Sequence, residues 1–173
     1  MNYRFKGEAM HTTVKFAKLR NTAIIPSKRL EDAGYDIYAN FEEPYMTIKP
    51  HETKMIPTGI ASACDIDYCL ILKERGSTGS RGIAQRCGVI DSGYRGEIFV
   101  PITNTTDNTI LICKQGSLPE TISVNTIIYP YEKAIAQLLL IPVPTADIEE
   151  YTYEDLLAIP SIRGTGMCGS SDK

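Results

Sequence analysis

Apolar residues in this chain occur in short runs of strand length, separated by clusters of Gly, Pro, Asn, Asp and Ser. Even Leu138–Val143 is far too short to span a membrane. Many short strands with turns between them predict an all-β barrel or sandwich. We predict strands over Thr13–Leu19, Ala33–Ala39, Pro44–Pro50, Thr53–Ile60, Tyr68–Leu72, Glu97–Asn104, Thr109–Cys113, Thr121–Tyr129 and Ala134–Val143, and a short helix at Glu154–Leu157.

Length and charge narrow the class of protein. The 173 residues suggest a single domain, 1–173, which we divide into a β core at 13–160 and a flexible, glycine-rich C-terminal arm at 161–173. The net charge of -3 argues against a general nucleic-acid binder but leaves room for a nucleotide ligand. The polar stretch Met1–Met10 lacks a signal-peptide core, so we expect an intracellular, cytoplasmic protein without a membrane anchor.

The cysteine pattern favours thiols over disulfides or zinc. The chain has five cysteines, an odd number, and no Cys-x-x-Cys pair. Only His11 and His51 could add imidazole ligands, and no zinc-ligand spacing results. We therefore expect reduced, mostly buried thiols.

The segment Gly88–Ile98 carries the densest chemistry. Its turn-forming centre between two apolar runs predicts a tight β-hairpin. One carboxylate, Asp91, and one aromatic ring, Tyr94, lie three residues apart in it. An ordinary surface hairpin and a ligand-binding turn are both compatible with these residues alone.

Three further polar features stand in or beside predicted strands. Asp36 lies in the middle of a strand, where it lines either a solvated face or a polar site. Arg75–Ser77, with the Gly-, Ser- and Thr-rich residues that follow, has the composition of a phosphate cradle or of a flexible loop. Gln137 interrupts an apolar strand, so its amide must find a structural partner or a ligand.

Together these motifs resemble the trimeric dUTP pyrophosphatases. The resemblance rests on Ala33–Asp36, Gly88–Glu97 and Ile135–Gln137 in order, with Arg75–Ser77 and the tail Arg163–Ser171 in the remaining motif positions. It implies a distorted jelly-roll β-barrel, a homotrimer with active sites shared between subunits, and a C-terminal arm that closes over a site. It also implies hydrolysis of dUTP to dUMP and pyrophosphate, with Mg2+ on the triphosphate, which limits uracil entry into DNA.

The resemblance assigns the nucleoside end of dUTP to the Gly88–Glu97 segment. Asp91 is implied to be the general base that activates a water for attack on the α-phosphorus. Tyr94 is implied to lie against the deoxyribose and exclude a 2′-hydroxyl. The backbone of the segment, at Gly88 and Ile90, is implied to read the uracil edge.

The triphosphate end is assigned to other motifs. Arg75, Ser77 and Gln137 are implied to hold phosphate oxygens, with Gly76 contributing its backbone. Asp36 is implied to support the site through water, and to reach the magnesium only that way, so no residue is implied to bind the metal directly. The arm is implied to close on the β- and γ-phosphates through Arg163, Gly169, Ser170 and Ser171.

The chain departs from the family pattern in several places. The cradle reads Glu74–Ser77 where Pro-Arg-Ser is usual, and Ala134 replaces an arginine. Cys168, beside Met167, stands where a phenylalanine usually stacks on uracil, so we expect weaker uracil clamping. Residues 114–130 form an insert similar to one in some phage enzymes of the family; for a phage-encoded chain, the expected location is the host cytoplasm.

Two alternatives accompany this interpretation. The dCTP deaminases share the fold but use a glutamate ten residues after the hairpin aspartate, where this chain has Pro101, which cannot transfer a proton. The other alternative is a nucleotide-sensing or repressor-binding module on the same scaffold, because a fold does not determine its function.

Overall fold

The computed structural model describes residues 12–86 and 88–166. The strands, in chain order, are β1 Lys15–Lys18, β2 Tyr35–Ile37, β3 Tyr45–Ile48, β4 Thr53–Pro57, β5 Ile60–Ala63, β6 Tyr68–Lys73, β7 Ile83–Gln85, β8 Val89–Ile90, β9 Phe99–Asn104, β10 Ile110–Cys113, β11 Ile127–Pro130 and β12 Ala136–Pro142. The helices are α1 Gly76–Gly79 and α2 Tyr153–Ala158. The predicted all-β class is confirmed.

The strands form small sheets around one core. Their orders are β1-β5, β11-β10-β3, β2-β12-β6-β8 and β4-β9-β7, and every pair is antiparallel except β10 with β11. The core consists mainly of isoleucine, leucine and valine side chains, among them Ile37, Ile56, Val100, Ile110 and Leu138, all fully buried. Branched aliphatic side chains pack well on pleated strands, so the composition and the strand pattern agree.

Strand β12 shows how alternation produces a polar wall beside this core. Ala136 and Leu138 are fully buried, while Gln137 between them points to the other face. Gln137 is paired in register with Asp36 of β2 and with Lys73 of β6. Polar side chains from neighbouring strands therefore share one face at this end of the sheet.

The predicted tight β-hairpin at Gly88–Ile98 is wrong in its pairing. The turn itself forms, since the Tyr94 amide donates to the Asp91 carbonyl at 3.0 Å. However, β8 pairs with β6, whereas β9 pairs with β4 and β7 in a different sheet. The turn thus links two sheets instead of two paired strands.

Two other predictions about strands need correction. Pro101 was expected at an edge or a bulge, but β9 is the central strand of its sheet. Proline is tolerated there because its carbonyl accepts from Arg86, one residue past the end of β7, so the missing N–H faces the end of the ladder. The strand predicted at Thr121–Tyr129 is limited to β11, and residues 121–126 lie outside it.

The C-terminal part of the described chain leaves the core. Every residue from Ile141 to Thr165 is exposed. The short helix predicted near Glu154 is confirmed as α2, whose first turn is capped by the Thr152 hydroxyl accepting from the Asp155 amide at 3.1 Å. Among the described residues, no helix is long and apolar enough to cross a membrane. Cys64, Cys69 and Cys113 carry free thiols, as expected.

Candidate functional site

Most of the predicted site residues fall into two clefts. The first, which we call the polar cleft, has a volume of about 790 Å³ and is lined by Ser27, Lys28, Arg29, Asp32, Ala33, Gly34, Asp36, Arg75, Gly76, Ser77 and Gln137. It therefore brings together Asp36, Gln137 and the Arg75–Ser77 cradle from three separate parts of the chain. Because most of these side chains are polar or charged, the cleft suits an ionic ligand.

Arg75 is held from two sides within the polar cleft. Its Nε lies 3.0 Å from Oδ1 of Asp36, and its Nη1 donates to the Ala134 carbonyl at 3.2 Å. Position 134, where the sequence departs from the family pattern, thus contributes a backbone acceptor. A guanidinium fixed in this way presents its remaining N–H groups as a planar set of donors for an anion.

Gln137 is fixed by the backbone that leads into the cradle. Its Nε2 donates to the Glu74 carbonyl at 2.8 Å, so the amide has a structural partner. Gly34 packs directly against this side chain, and a β-carbon at position 34 would lie 2.9 Å from Cβ of Gln137 and closer still to its amide oxygen. Glycine is therefore required at position 34 to leave room for the amide.

The cradle is a single helical turn, α1, and not an open loop. Thr78 is buried, and its hydroxyl accepts from the Arg75 amide at 3.1 Å and donates to the Arg75 carbonyl at 2.9 Å. Gly76 and Ser77 are exposed to the cleft, and no described atom lies within 4 Å of where a β-carbon on Gly76 would stand. The turn therefore leaves space beside Ser77 for a ligand.

The second cleft, which we call the turn cleft, is smaller and less polar. It has a volume of about 230 Å³ and is lined by Met55, Leu72, Gly88, Val89, Ile90, Asp91, Tyr94, Glu97, Ile98, Phe99 and Pro101. It contains the predicted site residues Gly88, Ile90, Asp91 and Tyr94. Of the described residues, none lines both clefts.

Backbone contacts shape the turn cleft. The Tyr94 hydroxyl donates to the Glu97 carbonyl at 2.9 Å, and the ring covers Gly96 so closely that a β-carbon there would lie 2.6 Å from Cζ. A β-carbon on Gly88 would lie 2.7 Å from the Leu72 carbonyl. Asp91 is exposed to solvent at the head of the turn. The cleft thus combines a fixed aromatic wall with an accessible carboxylate.

Sequence reasoning missed two contributors to the polar cleft. The segment Ser27–Asp32 was treated as a loop, yet it forms one wall; the adjacent basic pair Lys28 and Arg29, just before the Ala33–Asp36 motif, was the available signal. Tyr129 was also missed: its buried hydroxyl donates at 2.6 Å to the same Ala134 carbonyl that holds Arg75. Burial raises the pKa of this phenol, which keeps it a donor.

The predicted arm residues are only partly described. The Nε of Arg163 donates to the Gly166 carbonyl at 3.0 Å, and its side chain lines neither cleft of its own chain. Gly169, Ser170 and Ser171, with Met167 and Cys168, lie outside the described residues. Within the described ranges, no group of three His, Cys, Asp or Glu side chains could hold a metal ion.

Comparisons with known proteins agree with this arrangement. Residues 20–117 match the family model described as dUTPase. The chain is 34% identical over 162 residues to the deoxyuridine 5'-triphosphate nucleotidohydrolase of Picosynechococcus sp., covering 91% of this chain and 97% of the relative. It is 33% identical over 164 residues to the enzyme of the same name from Nautilia profundicola, covering 92% and 99%.

A solved structure gives the same fold. The G164S mutant of the Staphylococcus bacteriophage 80alpha dUTPase with dUpNHpp superimposes with a TM-score of 0.74 at 24% identity, covering 92% of this chain and 98% of that one. This likeness confirms the predicted jelly-roll-like fold. With the family model spanning the polar cleft, the cradle and the Asp91 turn, and with relatives matched over nearly their whole length, the chain belongs to the dUTPase family.

Proposed function

We propose that this protein hydrolyses dUTP to dUMP and pyrophosphate and so limits uracil entry into DNA. The observation that carries the proposal is the division of labour between the clefts: cationic and amide donors converge in one, and a single accessible carboxylate stands in the other. The names of the relatives from Picosynechococcus sp. and Nautilia profundicola support the same activity.

The polar cleft is suited to the triphosphate. Arg75 offers a planar guanidinium, Ser77 a hydroxyl and Gln137 an amide, and all act on oxygens that carry the developing negative charge. The guanidinium and the amide are already held by the protein, so little reorganisation accompanies binding. Positioning and charge stabilisation supply most of the catalysis in phosphoryl transfer.

Asp91 acts as the general base in this mechanism. Its carboxylate orients a water and takes its proton as the oxygen attacks the α-phosphorus, and pyrophosphate departs. Tyr94 packs against the deoxyribose, and the backbone at Gly88 and Ile90 binds the uracil edge. Because the Tyr94 ring is fixed over Gly96, a ribose 2′-hydroxyl has no room beside it.

The separation of the clefts supports a site shared between subunits. Arg75 and Asp91 act on the same substrate but line different clefts of one chain. A homotrimer in which the turn cleft of one subunit meets the polar cleft of the next brings them together. The arm of a subunit, with Arg163 and residues 169–171, then closes over the β- and γ-phosphates and excludes water.

The residues present fit a magnesium ion carried by the substrate. Mg2+ commonly binds substrate phosphates with one or two carboxylates and keeps several waters. In the polar cleft, Asp36 is already paired with Arg75, so its contact with the metal is through water. When bound, the ion neutralises charge on the triphosphate; the name of one structural neighbour, a phage phi11 dUTPase mutant, mentions a structural Mg(II) ion in that protein.

Deamination of dCTP is disfavoured by Pro101. This residue lines the turn cleft, at the position where a deaminase needs a proton-transferring glutamate. The nucleotide-sensing or repressor-binding alternative gains no support from the described residues or from the comparisons.

The test is the release of pyrophosphate from dUTP, dCTP, dTTP and UTP, with and without Mg2+, alongside ammonia release from dCTP. We expect rapid pyrophosphate release from dUTP alone, dependent on Mg2+. Equal rates with all four nucleotides, or ammonia from dCTP, would contradict the proposal.

A mixing experiment tests the shared site. Asp91→Asn and Arg75→Ala subunits, each inactive alone, are co-expressed and purified together. If each site takes Asp91 from one subunit and Arg75 from another, random assembly restores about one quarter of the sites. A mixture that stays inactive, although mass spectrometry shows both variants in one oligomer, would place both residues in a single chain's site.

A further inference from the structure

The loop Ser27–Asp32 is fixed against the polar cleft. The Ser27 carbonyl accepts from the Asp36 amide at 2.8 Å, which ties the loop to β2. Within the loop, Arg29 pairs with Asp32 through Nε at 2.9 Å and Nη2 at 3.1 Å. These contacts hold the loop as one wall of the cleft.

The cations of the polar cleft have different partners. Arg75 is paired with Asp36, and Arg29 with Asp32. The hydrogen bond from Arg29 holds the pKa of the Asp32 carboxyl below its usual value, so that pair stays charged on both sides. Lys28 is held instead by neutral groups, since its Nζ donates to the Asp32 carbonyl at 2.6 Å and lies 5.4 Å from the centre of the Tyr35 ring.

An ammonium on neutral partners keeps its full charge for an anion. It carries three N–H donors, and the Asp32 carbonyl uses one. The carbonyl and the ring restrict its long side chain, which lowers the entropy lost when a ligand binds. Lys28 thus supplies the cleft with a positive charge that is not already offset by a carboxylate.

We propose that Lys28 binds the pyrophosphate end of the triphosphate and helps to select triphosphates over shorter nucleotides. The inference rests on the proposed function, which puts the nucleoside at the turn cleft and leaves the β- and γ-phosphates to the polar cleft. Lys28 lies outside the motifs that carry the family resemblance and binds the same substrate from a separate wall.

The test compares Lys28→Met, which keeps the length of the side chain, with Lys28→Arg, which keeps the charge. For Lys28→Met at low salt, we expect the KM for dUTP to rise about threefold to tenfold, because an exposed charge contact with phosphate is modest and screened by salt. The kcat should stay within about twofold, because the ammonium contacts phosphates that are not attacked. Inhibition by inorganic pyrophosphate should weaken in proportion, inhibition by dUMP should not change, and Lys28→Arg should recover most of the loss.

Lys114 offers a matched control. Its Nζ donates to the Glu42 carbonyl at 2.7 Å and lies 5.5 Å and 5.2 Å from the centres of the Phe41 and Tyr131 rings. It therefore has the same kind of anchoring as Lys28 but lies outside both clefts. Lys114→Met should leave the KM for dUTP and the inhibition by pyrophosphate unchanged.

Each other outcome is decisive. An unchanged KM and unchanged pyrophosphate inhibition in Lys28→Met overturn the role of Lys28. So does an equal loss in Lys28→Met and Lys28→Arg with a lowered Tm, which indicates a structural residue. If the unaltered protein does not hydrolyse dUTP, the proposed function fails separately, and calorimetric binding of inorganic pyrophosphate to the protein and to Lys28→Met still decides whether Lys28 holds this anion.

Discussion

The two clefts are built by different means. In the polar cleft, side chains hold one another: Arg75 is fixed by Asp36, and Gln137 by the Glu74 carbonyl. In the turn cleft, the backbone and glycines set the shape, with Tyr94 packed over Gly96 and Asp91 left open to solvent. One cleft fixes its charges in advance, and the other exposes its carboxylate.

This difference matches the tasks that the proposed function gives them. Donors aimed at phosphate oxygens act best when they are already oriented, because orientation is then not lost from binding energy. A general base must instead meet a water, and an exposed turn allows it to do so. Variants of the polar cleft should therefore act mainly on substrate binding, and variants of the turn cleft on turnover and selectivity.

The largest effect is expected for Asp91→Asn, which keeps the size of the side chain and removes most of its basicity. Removing a general base typically lowers kcat by a factor of about 10²–10⁴. Binding of a non-hydrolysable dUTP analogue, measured by calorimetry, should persist, because the triphosphate contacts lie in the polar cleft. Loss of binding together with turnover would show that Asp91 maintains the structure of the site.

Arg75→Lys tests the polar cleft at its centre. An ammonium cannot reproduce the planar set of contacts with Asp36, the Ala134 carbonyl and a phosphate, so we expect the KM for dUTP to rise about tenfold to a hundredfold. Arg86→Lys is the control, since Arg86 is exposed and lines neither cleft. A normal KM in Arg75→Lys, measured by steady-state kinetics, would mean that charge alone is sufficient at this position.

Gly34→Ala should act through Gln137. The new β-carbon displaces the amide from the Glu74 carbonyl, and losing one such hydrogen bond lowers kcat/KM about twofold to tenfold. Gly79→Ala is the matched control within the same region, because the added carbon meets only Cβ of Glu74 at 3.9 Å, an ordinary contact. Equal kcat/KM values for the two variants would show that the Gln137 amide does not contribute.

The smallest effect is expected for Gly96→Ala in the turn cleft. Tyr94 must move, and because its ring is partly exposed, the dUTP-to-UTP ratio of kcat/KM should fall by only about twofold to fivefold. Gly93→Ala is the control, since no described atom lies within 4 Å of the added carbon. A ratio that is the same in both variants would remove Tyr94 from sugar selection.

Local patterns in the sequence predicted faces and turns but not partners. The alternation around Gln137 indicated a polar residue beside a buried face, and the Asp91 turn was recognised from its composition. The pairing of Val89 with Ile71 in β6 could not be predicted, because strand periodicity carries no information about which strand lies alongside.

The contributors that were missed depend on contacts between distant parts of the chain. Lys28 enters the polar cleft only because the Ser27 carbonyl is bonded to the Asp36 amide. Tyr129 reaches the Ala134 carbonyl from β11, a strand whose start was predicted six residues too early. Neither contact leaves a periodic pattern in the sequence.

The parallel pairing of β10 with β11 has a consequence for how this chain can vary. Parallel neighbours need a connection of about a dozen residues or more, and the connection from Lys114 to Thr126 is close to that minimum. Shortening it would therefore pull β11, and Tyr129 with it, out of register. Lengthening is mild, since doubling a loop adds only about 0.6 kcal/mol of closure entropy. Insertions and deletions at this connection should thus be tolerated unequally, with growth permitted and loss selected against.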